Sequence, residues 1–221
     1  MEAINDKESK EKVEADLKIT FSKESEAKRI QYTIDKLDWF KKQGYKINLP
    51  EKIKEIIDHG LTLSDDEILK IVSLEFNQKE YEDKANELRQ KWEEKKGDFL
   101  HRLASLGLPL QSEYKLVFTK YGVGGSYGLP NIIQINFEYP IEKETIAITL
   151  HEIIHLTIEE LIKKYGIDHW EKERLVDLIY GKFYPNEKRL QRDPEKSKEV
   201  ERVFEAFYPD MEKVLSEIGT L

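Results

Sequence analysis

Cysteine is absent from all 221 residues. A disulfide framework, thiolate-bound zinc, an iron–sulfur cluster and a cysteine nucleophile are therefore excluded, and any metal must be held by His, Asp or Glu. Long apolar runs are lacking too. Met1 to Ile30 hold no stretch of signal-peptide length, and no segment approaches the length of a membrane-spanning helix, so a cytoplasmic protein without membrane association is expected. Positive charge is in deficit: 36 Lys and Arg stand against 44 Asp and Glu, a net charge of −8. Such a surface repels phosphate backbones, which argues against a nucleic-acid partner. Histidine is scarce, with 5 in the chain, and where they fall carries most of the functional information.

The length allows one substantial core or two small ones. The first twenty or so residues are mostly Lys and Glu and read as a frayed end or a weak solvated helix. Ile30, Ile34, Leu37 and Phe40 then mark an amphipathic helix ended by Gly44. Pro50 opens a short helix closed by Gly60, and Ser64 with Glu67 forms a capping box for another. From Lys79 to Leu106 runs a long helical pattern interrupted by Gly97, which reads as a helical hairpin or an arm against a partner. Beyond Pro109, Lys115–Tyr121 and Asn131–Phe137 read as strands. The glycine-rich Gly122–Gly128 between them lacks the Lys-Ser/Thr of a phosphate loop and reads as a flexible connection. Helical periodicity returns from Glu142 to Tyr165, from His169 to Lys182 and from Asp193 onward. The expectation is an α+β, mostly helical fold: a helical N-terminal region over 1–110, and a domain over 111–221 with a small sheet on two helices.

His151-Glu152-Ile153-Ile154-His155 is an HExxH motif inside the first of those two helices. Residues four apart stand one turn apart on one face, so both imidazoles can reach one metal ion while the intervening Glu sits nearby without ligating. At this composition the motif is expected by chance about 0.016 times. Its flanking residues place both histidines on the apolar face of the helix, where a pair of hydrogen-bonded core histidines is the plain alternative.

A zinc site needs a third protein ligand. His169, Glu171 and Glu173 are the candidates. Asp168 and Glu171 read as a capping box, which gives Glu171 a structural task and leaves His169 and Glu173. Glu173 and Asp177 are four apart beside an apolar stripe of Leu175, Ile179 and Phe183. Zinc on Glu173 and an imidazole N–H on Asp177 would compensate their desolvation; a solvated edge is the alternative.

HExxH followed by Glu-x-x-x-Asp on the next helix resembles the gluzincin metallopeptidases over about Asn131 to Tyr184. The resemblance implies zinc held by His151, His155 and Glu173, with Glu152 as general base on a zinc-bound water and Asp177 orienting a ligand histidine. It also implies a strand bordering the cleft that pairs with extended substrate, a role that suits Asn131–Phe137. The metzincin pattern is excluded by Ile158 and Leu161.

The expected function is thus zinc-dependent hydrolysis of a peptide or protein substrate, with Tyr180, Tyr184 or His169 as oxyanion stabiliser. The competing reading is a zinc-containing regulatory or protein-binding module with a structural or inactive site, whose N-terminal helices recruit a partner or self-associate. The tail from Asp193 presents Val200, Val203, Phe204, Phe207 and, past Pro209, Met211, Val214, Leu215 and Ile218. Such a stripe either docks near the cleft and restrains activity or completes the core.

Overall fold

The computed structural model describes residues 14–187 and 194–221. It is α+β and mostly helical, with one four-stranded mixed sheet. The strands are β1 (Asp16–Thr20), β2 (Glu113–Thr119), β3 (Gly125–Gly128) and β4 (Ile132–Asn136), arranged in the order β1-β2-β4-β3. β1 and β4 both run parallel to β2, and β3 is antiparallel to β4.

Two of these strands correct the sequence expectation. Asp16–Thr20 is not a solvated end: it pairs in register with Glu113–Val117, turns Ile19 into the core and pairs Lys18 with Glu113. Its stabilising partner lies far along the chain, so local composition does not reveal it. The part of that expectation falling on residues 1–13 lies outside the described residues. Gly125–Gly128, expected to be loose, forms the end strand of the sheet, held by backbone pairing that needs no side-chain pattern. β4 is consequently an inner strand, so Asn131–Phe137 is not the sheet's border at the cleft.

The N-terminal helices are α1 (Lys23–Asp35), α2 (Leu37–Lys42), α3 (Glu51–Asp58) and α4 (Asp65–Glu75). Ile30, Ile53, Ile68, Ile71 and Val72 meet Leu49 and Tyr121 in a small core of their own. α5 (Gln78–Ala104) is one continuous helix and not a hairpin. Its Tyr81, Ala85, Leu88, Trp92, Phe99 and Leu103 are buried, so the seam faces the main core where a partner was expected.

The main core also takes in α6 (Ile146–Tyr165), α7 (His169–Phe183), α8 (Pro194–Phe207) and α9 (Met211–Ile218). Both this core and the β1–β2 pairing cross residue 110, the expected boundary between two regions. Val200, Phe204, Val214 and Leu215 are fully buried, so the tail completes the core. No helix among the described residues is long and apolar enough to cross a membrane.

Two buried charges on α1 tie the helical region to the sheet. Glu26 accepts hydrogen bonds from Tyr81 Oη (2.5 Å) and from the backbone N–H groups of Lys120 (2.9 Å) and Tyr121 (3.0 Å). Arg29 donates to Ser126 Oγ (2.8 Å), Gln134 Oε1 (3.0 Å) and the Val123 carbonyl (3.3 Å). Together they fix the segment that leads from β2 into β3. Gly122 sits there at φ +94°, and a Cβ on it would stand 2.5 Å from Arg29 Nε.

Candidate metal centre and its cleft

Local signals position the two helices that carry the site. A single π-helical turn, Ile141–Thr145, leads into α6, and Gly166 at φ 66° ends it. Asp168 then caps α7: its Oδ1 accepts from Glu171 N–H (2.9 Å), while Glu171 Oε2 accepts from Asp168 N–H (3.0 Å). Glu171 has the capping task expected of it.

α6 presents His151 and His155 one turn apart on its buried face, with their rings edge to face and their Nε2 atoms 3.0 Å apart. α7 brings Glu173 against both: Oε2 is 3.4 Å from His151 Nε2, and Oε1 is 3.3 Å from His155 Nε2. All three side chains are buried. Ligands about 2.0–2.1 Å from one tetrahedral ion lie about 3.3 Å from each other, which is the size of these separations. A hydrogen bond between two imidazoles can satisfy one donor and one acceptor; a cation accounts for both nitrogens and the carboxylate together. Two imidazoles and a carboxylate, with no thiolate, suit zinc. On the far side of the rings, Asp177 Oδ1 lies 3.5 Å from His151 Nδ1, and the buried His155 Nδ1 has no hydrogen-bond partner among the described residues.

The electrostatics agree with a site built for positive charge. Burial opposes ionisation of Glu173, yet the adjacent His155 and His151 hold its carboxyl far below the ordinary range. Burial pushes the His155 imidazole down to about 4, keeping it neutral with a lone pair available. Burial also disfavours protonation of His151, but Glu173, Glu152 and Asp177 outweigh it and raise this imidazole.

These residues form one wall of a cleft of about 770 Å³. Glu152 lines it next to the histidines, seated so close to β3 that a Cβ on Gly125 would fall 2.4 Å from Glu152 Oε1. Tyr127 of β3 stacks on the His155 ring at 4.7 Å and 10°, donates to Glu159 Oε2 (2.6 Å) and accepts from Lys172 Nζ (2.7 Å). Arg29 is buried behind β3. Its burial pulls the guanidinium's pKa down, and Glu152 is the foremost charge opposing that shift.

Of the expected oxyanion stabilisers, the structure brings only His169 to the cleft, with Nδ1 3.9 Å from Glu173 Oε1 and Nε2 3.2 Å from Tyr45 Oη. Tyr180 is fully buried and donates to Glu187 Oε2 (2.7 Å), while Tyr184 lies beneath Lys95, and neither lines the cleft. The reason is distance along α7: Tyr180 shares a face with Glu173 but stands about 10 Å further on at 1.5 Å per residue. The sequence reading did not single out Gly125, Tyr127, Trp39 or Tyr45. Gly125 and Tyr127 had a visible signal, the glycine-rich run before the motif helix that holds both; Trp39 and Tyr45 reach the site from a distant segment and had none.

Against protein-family models, curated proteins and solved structures, the chain matches nothing.

Proposed function

We propose that the protein is a zinc-dependent metallopeptidase. His151, His155 and Glu173 would hold the ion, and zinc, when bound, supplies a Lewis acid and lowers the pKa of water. Glu152 accepts the proton of the attacking water and returns it to the leaving amine. The bare backbone of Gly125 makes room for that carboxylate. Asp177 orients His151 through its Nδ1. β3 ends the sheet and lines the cleft, an edge on which an extended peptide can add as a further strand.

The observation that carries this reading is the convergence of two imidazoles and Glu173 beside Glu152 on the wall of an open cleft. A structural zinc site closes with four protein ligands. Here three residues converge among the described residues, and the cleft opens on them, which favours an enzyme over a binding module. Metal analysis of the purified protein, followed by digestion of a peptide library, tests it. The expected result is about one zinc per chain, lost in Glu173→Ala and kept in His169→Ala, with Glu152→Gln retaining metal and losing hydrolysis. Parental turnover by Glu152→Gln, or metal lost only in His169→Ala, would overturn the assignment.

A further inference from the structure

Three large aromatic side chains are exposed among the described residues: Tyr32 at 47%, Trp39 at 41% and Phe207 at 36%. Two of the three, Tyr32 and Trp39, line the cleft of the candidate metal centre. They belong to an aromatic wall supplied by α1, α2 and the segment after it. Trp39 and Tyr45 stack at 5.6 Å and 24°; Phe40 meets Tyr45 edge-on at 5.6 Å and Tyr32 edge-on at 6.2 Å. The wall touches the metal centre itself, since Trp39 packs edge-on against His169 at 5.6 Å, and His169 adjoins Glu173. Gly124 and Gly125 line the same cleft as this wall, the side-chain space they give up being taken by Ile148, Tyr139 and Glu152.

Packing demands of the fold do not explain this arrangement. Phe40 is buried, whereas Trp39 and Tyr32 stay exposed to water, which is unfavourable for such large rings without a ligand. The rest of the lining includes Lys46, Glu144 and Lys163, a mixture suited to an amphipathic chain and unsuited to a purely apolar guest.

We propose that this wall is a recognition subsite for an aromatic side chain of the peptide, placed beside the bond presented to the metal centre. The substrate class is therefore peptides carrying Phe, Tyr or Trp near that bond. The inference deepens the peptidase reading and rests on it for the position of the bond, but recognition itself needs no turnover.

The test uses the full-length, zinc-loaded Glu152→Gln protein and two N-acetylated, C-amidated hexapeptides of Ala and Ser, one with a central Phe and the other with Ala there. Calorimetry is expected to give about tenfold or tighter binding of the Phe peptide, the scale of burying and stacking one aromatic ring. Adding Trp39→Ala should bring the two affinities within about twofold, Trp39→Phe should restore the preference, and Tyr32→Ala should weaken it. Equal affinities in the Glu152→Gln protein, including no binding of either peptide, would overturn the proposal. So would a preference that survives both Trp39→Ala and Tyr32→Ala. If the Phe peptide binds preferentially but the parent protein cleaves neither, the peptidase reading fails and the aromatic subsite stands.

Discussion

Glu152 Oε1 occupies the space that a side chain at Gly125 would need: a Cβ there would lie 2.4 Å from that oxygen and 2.5 Å from Ile148 Cγ2. The motif helix and the end strand of the sheet are thus packed in contact through a glycine, and the position of the proposed base depends on the absence of a methyl group. Gly125→Ala is expected to displace Glu152 while leaving His151, His155 and Glu173, the proposed ligands, in place. Zinc content should remain near parental, and peptide hydrolysis should fall by about 100-fold, the cost of misplacing a reacting group by about 1 Å. Gly124→Ala is the matched control, because its Cβ would meet Ile148 and Tyr139 at 3.7 Å, an ordinary contact. Equal activity in Gly125→Ala and the parent would show that Glu152 needs no such seat.

Asp177 reaches His151 from the side away from Glu173, at 3.5 Å from Nδ1. A carboxylate in that position fixes the imidazole's orientation and makes the opposite nitrogen a better ligand. Asp177→Ala should weaken zinc affinity by about 10 to 100-fold, as read by chelator competition, with little change in fold. Unchanged affinity would leave Asp177 a packing role only.

What was legible in the sequence follows from the range of the forces involved. The capping boxes at Ser64–Glu67 and Asp168–Glu171 are contained within four residues, and both form as read. The i, i+4 spacings of His151–His155 and Glu173–Asp177 fix shared helix faces, so sequence alone puts each pair together. Bringing the two pairs together is a tertiary event, and the structure supplies it through α6–α7 packing. β1 was hidden because its pairing partner, β2, lies beyond α5, and β3 because a glycine-rich edge strand has no side-chain alternation to detect. Trp39 and Tyr45 enter the cleft from a region whose own periodicity, Ile30, Ile34, Leu37 and Phe40, marks a core-facing stripe and does not include them.

The tail packs where an unrestrained one could not. Phe204 on α8 is fully buried in the main core, with its ring 4.9 Å from Tyr208, and no described residue of α8 or α9 lines the cleft. Removal of the ring should therefore act on stability and not on access to the site. Phe204→Ala is expected to cost about 3–5 kcal/mol in denaturant unfolding, as for other large-to-small core changes. Truncation before Asp193 should give an unfolded or aggregated product. A folded and more active truncation product would revive the alternative, in which the tail restrains the cleft.

Glu26 offers a test of how the helical region is held to the sheet. Burial pushes its carboxyl above the ordinary value of 4.5, against the lowering effect of hydrogen bonds from Tyr81, Lys120 and Tyr121 and of the Arg29 charge. The folded protein therefore keeps this proton to higher pH than the unfolded chain does. Stability contributed by Glu26 is fully present below the unfolded value and is lost as pH rises through the folded one. Glu26→Gln cannot titrate, and its amide N–H₂ would face a backbone donor now paired with the carboxylate, at a cost of about 1–3 kcal/mol. Urea unfolding from pH 4 to pH 7 should accordingly show the variant less stable, with its deficit largest at the acid end and narrowing as the parent's Glu26 ionises. A deficit independent of pH would mean that Glu26 titrates alike in both states, and that the clamp on the β2–β3 segment carries no buried-charge penalty.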